Sequence, residues 1–188
     1  MRRVVAGMQA VVAMILCVSA PLTLPRLGEA AMAKLSVRSS TFAGGATLPM
    51  STVFNSFGCT GANRSPHLAW SGQPAGTASF AVILHDPDAP TGTGWYHWVV
   101  FNIPPTVHEL KEGAGAQGSP DLPAGAVLGL TDFGFSQYGG PCPPPGDRPH
   151  HYHFTVYALS SKIDGSATTT GAALRFLVRS ATRADNLT

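Results

Sequence analysis

Apolar and polar residues alternate along three segments of the chain, and this period of two predicts β-strands. The segments span residues 79–86, 96–103 and 151–159, and a shorter strand is predicted around Leu35 and Val37. Connections rich in Gly and Pro separate these segments. Short strands that alternate with turns predict a mainly β protein with few helices, built as a sandwich or as a barrel-like packing of sheets.

One helix is predicted near the end of the sequence, beginning at Gly171. Its apolar positions follow the i, i+3, i+4, i+7 spacing of a helix that packs one face on the core. These positions are Leu174, Leu177, Val178 and Ala181. We expect the chain to end at Thr188 without a further strand after this helix.

The N-terminal residues have the pattern of an export signal. Two arginines precede an apolar run that ends at Ala20, as in the basic and apolar regions of a signal peptide. Small residues allow cleavage after Ala20 or after Ala33, so we predict a signal peptide over residues 1–33 and one domain over 34–188. An uncleaved membrane anchor is the alternative, although the run is barely long enough to span a bilayer. No later segment is apolar enough to cross one, so the expected location is periplasmic or secreted.

The predicted mature domain carries no net charge. Setting aside the charged residues of the leader leaves nine basic and nine acidic side chains. A protein that binds nucleic acid or an anionic membrane surface usually has a basic patch or an excess of positive charge. This balance therefore argues against a nucleic-acid partner.

Export also affects how the cysteines are interpreted. Cys17 lies in the leader, so Cys59 and Cys142 remain, an even number in an oxidising compartment. We predict a disulfide between them, which would close a loop of 82 residues and typically contribute about 2–4 kcal/mol. Two free thiols that lie too far apart to pair are the alternative.

Three polar residues lie at the ends of predicted strands, each in phase with an apolar face: Asp86, His97 and His150. On the second strand, the set expected on one face is His97, Val99, Phe101 and Ile103. A carboxylate and two imidazoles at the rim of an apolar wall would form a small polar pocket, the usual anatomy of a ligand site. Such a pocket favours an anion, because an imidazolium donates hydrogen bonds and a nearby carboxylate keeps it charged. Histidines with purely structural roles are the alternative.

Two long motifs resemble the signatures of the phosphatidylethanolamine-binding protein family. The first comprises residues 86–90 and 95–104, and the second comprises residues 138–146, 150–152 and 157–159. The stretch Asn63-Arg64-Ser65-Pro66-His67-Leu68-Ala69-Trp70 also resembles the segment before the first signature. The chain is similar to the bacterial Raf-kinase-inhibitor-like branch of the family, known as YbhB/YbcL, in an exported form. Two long motifs in the right order are far more specific than either alone.

This resemblance implies a two-sheet β fold with a C-terminal helix and a small pocket for phosphate-like anions or phosphorylated ligands. The matching ligand-binding positions are Asp86, Asp88, Trp95, His97, Gly140, Pro143, Pro144, His150 and Tyr152. In the family, the glycine and the two prolines belong to a loop that closes over the anion. Cys142 departs from the pattern, because eukaryotic members carry a glycine there. The family also continues into a closing strand after the terminal helix, and we expect this chain to lack it.

These features predict a non-enzymatic binding protein that needs no cofactor or metal. Members of the family that the chain resembles are known as kinase or protease inhibitors, so the resemblance implies a kinase or a protease as a protein partner. A hydrolase that uses Asp86, His97 and His150 as acid and base groups is the alternative. No Gly-x-Ser-x-Gly elbow supplies it with a nucleophile. A zinc protein is less favoured, because His151 and His153 lie on the strand face opposite to His150 and the three do not converge.

Overall fold

The computed structural model describes residues 35–187, with side chains described as far as residue 183. The predicted signal peptide over residues 1–33 and its cleavage sites lie outside this range. The elements are, in order, β1 Ser36–Arg38, β2 Leu68–Ser71, β3 Ser79–Asp86, β4 Trp95–Ile103, β5 Glu109–Leu110, β6 Val127–Leu128, β7 His153–Leu159, α1 Gly171–Ala181 and β8 Thr182–Leu187. Within residues 35–187, no helix has the length and apolar character needed to cross a membrane.

The strands form two antiparallel sheets, which confirms the prediction of a mainly β, two-sheet fold with a C-terminal helix. The smaller sheet has the order β1-β2-β5, and the larger has the order β6-β4-β3-β7-β8. Long-range pairing of β3 with both β4 and β7 places the ends of these three strands side by side. The end of β3, the start of β4 and the residues just before β7 carry most of the candidate site residues.

Both faces of the larger sheet are buried, which explains the nearly continuous apolar run along β3. Phe80, Val82 and Leu84 pack between the two sheets. Ala81 and Ile83 alternate with them and pack against the helix on the other face. A strand covered on both faces is apolar at nearly every position.

Helix α1 begins at the predicted residue. The Thr170 hydroxyl caps it by accepting a hydrogen bond from the backbone N–H of Ala173 at 3.2 Å. Gly171 lies directly against Tyr96 of β4, since a Cβ at this position would be 2.3 Å from the tyrosine ring. The small first residue therefore lets the helix approach the sheet closely.

The expectation that no strand follows the helix is wrong. Strand β8 follows α1 directly and pairs antiparallel with β7, from Thr182 opposite Leu159 to Leu187 opposite Thr155. The sequence 182–187 has no apolar alternation, so its pattern alone does not mark a strand. The open edge of β7 recruits this segment through backbone hydrogen bonds, which do not depend on the side-chain pattern.

The prediction that four residues of β4 share one face is also wrong. Val99 and Phe101 pack on the helix side of the sheet, whereas Ile103 packs between the sheets. The register between β3 and β4 shifts near this end, and Asn102 has a positive φ of 58°. Such an irregularity shifts which side chains lie on each face of the sheet. A prediction that assumes strict alternation along the whole strand therefore fails beyond it.

Candidate functional site

A second register shift between β3 and β4 positions His97. Asp86 pairs with Trp95, whereas Leu84 pairs with Trp98, so two intervals on β3 face three intervals on β4. His97 is the residue without a partner in this ladder. A bulge of this kind adds one residue to a strand and re-aims its side chain, and bulges are common beside functional sites.

The bulge turns His97 towards Asp86. The imidazole ring makes edge contacts with the rings of Tyr152 and Phe133, with centroids 5.3 Å apart in both cases. Its Nε2 lies 3.9 Å from Oδ2 of Asp86. Strict alternation with Val99 would have directed His97 to the helix side of the sheet, away from these groups.

Asp86 is the centre of the polar cluster. Its Oδ1 accepts hydrogen bonds from the backbone N–H groups of Asp88 at 2.9 Å and Ala89 at 3.2 Å, which hold the turn after β3. Its Oδ2 lies 2.8 Å from Nδ1 of His150. Both side chains are only 3% exposed. The carboxylate and one imidazole therefore form a buried, hydrogen-bonded pair.

The partners of His150 favour its charged form. Burial alone would lower the pKa of this imidazole, but the hydrogen bond and negative charge of Asp86 outweigh that effect. Asp147 adds to this, since one of its carboxylate oxygens lies 3.5 Å from Nε2 of His150. As a result, the pKa of His150 is raised above its ordinary value. Of the two histidines next to Asp86, His150 is therefore the one whose charged form its surroundings favour.

His97 behaves in the opposite way. Burial lowers its pKa to about 4, and hydrogen bonding to Gly139 and the charge of Asp86 only partly offset this. Its Nδ1 lies 2.8 Å from the Gly139 carbonyl oxygen. The two histidines that the sequence predicts for the pocket thus have opposite pKa shifts.

Unpaired polar atoms are concentrated at this site. Among residues 35–187, five buried side-chain polar atoms lack a hydrogen-bond partner. Three of them are His97 Nε2, Trp95 Nε1 and the Tyr152 hydroxyl. The three rings belong to one connected cluster, because Trp95 and His97 both contact Phe133 and His97 contacts Tyr152. Burial and the negative charge of Asp86 raise the pKa of the Tyr152 hydroxyl, which is therefore a hydrogen-bond donor.

Asp88 lies one step away from the pocket and holds the loop that carries His150. It accepts hydrogen bonds from the backbone N–H and from Nδ1 of His151, at 2.7 and 2.6 Å, and pairs with Arg148 at 3.4 Å. The hydrogen bonds from His151 lower the pKa of this carboxyl. Asp88 thus fixes residues 148–151 at the end of β3.

The backbone amide of Gly140 already makes a hydrogen bond within the protein. This N–H donates to Oδ1 of Asn63 at 2.7 Å. A Cβ at Gly140 would lie 2.0 Å from the backbone oxygen of Thr52, so only glycine fits there. Sequence reasoning did not single out Asn63 individually, although it lies within the matching segment that precedes the first motif. Phe133 was missed altogether, because nothing in its local sequence marks it.

The two predicted loop prolines lie in different surroundings. Pro143 lines a groove of about 480 Å³ together with His150 and Tyr152. Pro144 is exposed, and its carbonyl accepts a hydrogen bond from the N–H of Asp147.

The predicted disulfide is confirmed. Cys59 and Cys142 are bonded, with their Cα atoms 6.0 Å apart. The disulfide connects the loop that contains Pro143 and lines the groove to the segment around Phe57, a side chain that is 72% exposed.

The other histidines of the second motif do not join the pocket. His151 is directed to Asp88, and His153 lies opposite His85 in the β3–β7 ladder. Within the described residues, no group of three or more His, Cys, Asp or Glu side chains is arranged to hold a metal ion.

The fold and the site together describe a two-sheet antiparallel β protein with a buried polar cluster at the ends of its central strands. The phosphatidylethanolamine-binding protein (PEBP) family matches residues 38–188, and the chain belongs to this family of binding proteins. The resemblance noted from the two motifs is thereby confirmed.

Two bacterial relatives illustrate the match. The chain is similar to UPF0098 protein YbcL of Escherichia coli strain K12, at 50% identity over 151 residues that cover 80% of this chain and 82% of YbcL. The crystal structure of E. coli YbcL, described as a new member of the mammalian PEBP family, matches with a TM-score of 0.80 at 48% identity, covering 82% of this chain and 95% of that chain. LppC of Mycobacterium tuberculosis strain H37Rv, which carries a lipoprotein name, is 41% identical over 125 residues, or 66% of this chain and 55% of LppC.

Proposed function

We propose that the protein binds a small oxyanion, phosphate-like or phosphorylated, in the pocket formed by Asp86, His150 and the rings of Trp95, His97 and Tyr152. The three unpaired buried atoms carry this proposal. A buried polar group without a partner costs about 1–3 kcal/mol. A ligand whose oxygens supply the missing partners would recover that cost, and charged His150 would attract an anion.

The same contacts support binding without turnover. Cys142 is bonded to Cys59 and offers no thiolate nucleophile. Asp86 is committed to two backbone amides and to His150 rather than to a water or a hydroxyl nucleophile. Incubation with phosphoesters and carboxylic esters is expected to give no protein-dependent product, whereas turnover that is lost in His97→Ala would support the hydrolase alternative.

The binding test uses the mature, oxidised protein and two probes, inorganic phosphate and O-phosphoethanolamine. Histidine side-chain NMR signals are followed during each titration. We expect saturable shifts of His97 and His150, while the signal of His67, which lies against Glu109 and away from the pocket, stays in place. Asp86→Ala is expected to abolish the shifts. Absence of any shift at millimolar ligand would contradict the proposal.

A matched pair of tyrosine variants distinguishes a loss of binding from a loss of stability. Tyr152→Phe removes a hydroxyl that has no partner at hydrogen-bond distance and interacts only more loosely with Asp86, so it should weaken binding with little loss of stability. Tyr138→Phe removes a hydroxyl that donates to the Thr52 carbonyl at 2.9 Å, so it should lower stability and leave binding intact. The reverse pattern would show that the pocket is not the binding site.

The proposal extends to location and partners. The signal-like residues 1–33 and the lipoprotein name of the relative LppC support an exported protein, periplasmic or secreted. The apolar side chains of Met50 and Phe57 are 60% and 72% exposed and provide a contact surface for a kinase or protease partner. We expect the protein to reduce the activity of at least one enzyme in a panel of kinases and proteases. The variant Phe57→Ser should inhibit that enzyme less strongly. A panel without any effect would remove the partner from the proposal.

A further inference from the structure

The hydrogen-bond geometry defines the tautomer of His97. Its Nδ1 lies 2.8 Å from the carbonyl oxygen of Gly139. A carbonyl oxygen only accepts, so Nδ1 must carry the hydrogen. In a neutral imidazole the other ring nitrogen then bears a lone pair. Nε2 of His97, which is buried and unpaired, therefore presents an acceptor to the pocket.

A second acceptor lies beside it. Oδ2 of Asp86 is 3.9 Å from Nε2 of His97, too far for a hydrogen bond between them. The unpaired Trp95 indole nitrogen is a donor only, and the Tyr152 hydroxyl is a donor as well. The pocket thus combines two donors with a pair of neighbouring acceptors. An oxyanion without hydrogen satisfies the donors and leaves both acceptors facing its oxygens.

The charges around the pocket also disfavour a doubly charged ligand. Asp86 is balanced by His150, and Asp88 is balanced by Arg148. Asp147 at the outer side of His150 adds a negative charge without a balancing cation of its own.

On the other side of the sheet, His85 is the titratable group that interacts with His97. Burial lowers the pKa of His85, so it contributes little positive charge near neutral pH. Arg175 of the helix and His153 also interact with His85 on that side of the sheet. The cations nearest the acceptor pair, His150 and Arg148, are already paired with Asp86, Asp147 and Asp88, so a second negative charge on the ligand would compete with these carboxylates.

We propose that the pocket selects the singly protonated form of its ligand, an oxyanion whose remaining hydroxyl donates a hydrogen bond to the acceptor pair His97 Nε2 and Asp86 Oδ2. This inference rests on the proposed oxyanion site and specifies the ligand class, the monoanion of a phosphomonoester or of phosphate. The unprotonated oxygens accept from Trp95 and Tyr152. Since the contacting atoms are buried, the group that enters is small.

The proton belongs to the ligand rather than to His97. The pKa of the buried imidazole is about 4, whereas a phosphomonoester has a second pKa of about 6. The ligand is therefore the stronger base of the two. His97 remains neutral in the complex, and its Nε2 accepts the hydrogen bond from the ligand hydroxyl.

A matched pair of ligands tests this inference on the intact, oxidised protein. Monomethyl phosphate and methyl sulfate have nearly the same size and carry one negative charge at pH 5.5, but only the phosphate has a hydroxyl hydrogen. Dissociation constants of both are measured by calorimetry from pH 5.5 to 8.5. Titration of His150 affects both ligands, so the ratio of the two affinities isolates the contribution of the hydrogen.

We expect monomethyl phosphate to bind at least about tenfold more tightly than methyl sulfate at pH 5.5, the scale of one good hydrogen bond. The ratio should fall by about tenfold per pH unit above the second phosphate pKa of about 6. In ¹⁵N NMR spectra, His97 should keep its Nδ1–H tautomer in the complex.

Three outcomes would overturn the inference. Equal affinities at all pH values would leave an oxyanion site without proton selection, so the proposed function would stand alone. A monomethyl phosphate affinity that rises with pH would show that the dianion is preferred. Binding of neither ligand would overturn the site and the inference together.

Discussion

The substitution Asp86→Asn separates the charge of the pocket from its shape. The amide oxygen of asparagine still accepts from the N–H groups of Asp88 and Ala89, so the turn after β3 is kept. The amide nitrogen is a donor and faces Nδ1 of His150, where the carboxylate accepted. His150 must then become neutral and turn its own lone pair to Nδ1. The charged hydrogen bond is lost, with little change in volume.

The size of the effect follows from this contact. A hydrogen bond to a charged group contributes about 1.5–3 kcal/mol, and both side chains here are 3% exposed, so water screens the pair little. We expect Asp86→Asn to lower the free energy of unfolding by about 2–3 kcal/mol at pH 5.5.

The loss should also depend on pH. The pKa of His150 is raised in the folded protein, so its contribution is complete below the unfolded value of about 6.5 and is lost as the pH rises through the folded value. At pH 8.5 the difference between wild type and Asp86→Asn should be smaller than at pH 5.5, and it should approach about 1 kcal/mol, the value of a neutral hydrogen bond, once His150 is neutral.

Urea denaturation at pH 5.5 and 8.5 measures both values. Asp164→Asn, an exposed aspartate with the same chemical change, is the control and should be nearly neutral at both pH values. Equal destabilisation by Asp86→Asn at the two pH values would refute the charged pair with His150. So would wild-type stability at pH 5.5.

Two further predictions concern packing and the disulfide. Replacing Cys59 and Cys142 together by Ser removes a crosslink between residues 83 apart. The chain-entropy relation values this crosslink at about 4–5 kcal/mol, above the typical 2–4 kcal/mol because the loop is long; a loss below about 1 kcal/mol in urea denaturation would contradict it. Gly171→Ala adds a Cβ that would lie 2.3 Å from the Tyr96 ring and should cost about 1–3 kcal/mol through overpacking. The exposed Ala173→Ser serves as its control, and equal melting temperatures of the two variants would speak against close packing at Gly171.

Local sequence patterns determined the main elements correctly. The alternation over Ser79–Asp86 matches β3, and the helix begins at Gly171 as its spacing predicts. These features depend on residues that are neighbours in the chain, so periodicity is sufficient to find them. Cys59 and Cys142 were paired by a different argument, since two cysteines in an exported domain have few other partners.

The sequence also singled out Asp86, His97 and His150, which belong to two long motifs and which the structure brings together. It did not determine their roles. Both histidines were expected to be charged donors, yet the structure gives them opposite pKa shifts. His150 meets Asp86, 64 positions away, and His97 meets the carbonyl of Gly139, 42 positions away.

Only the tertiary structure decided the remaining features. The bulge at His97 arises from the register between β3 and β4, and β8 forms because the edge of β7 is open to a segment without strand pattern. Asn63 reaches the amide of Gly140 across 77 positions. Backbone pairing and burial depend on which distant segments come together. Charge, tautomer and strand register therefore follow from the fold, whereas the type and position of the elements follow from the local order of side chains.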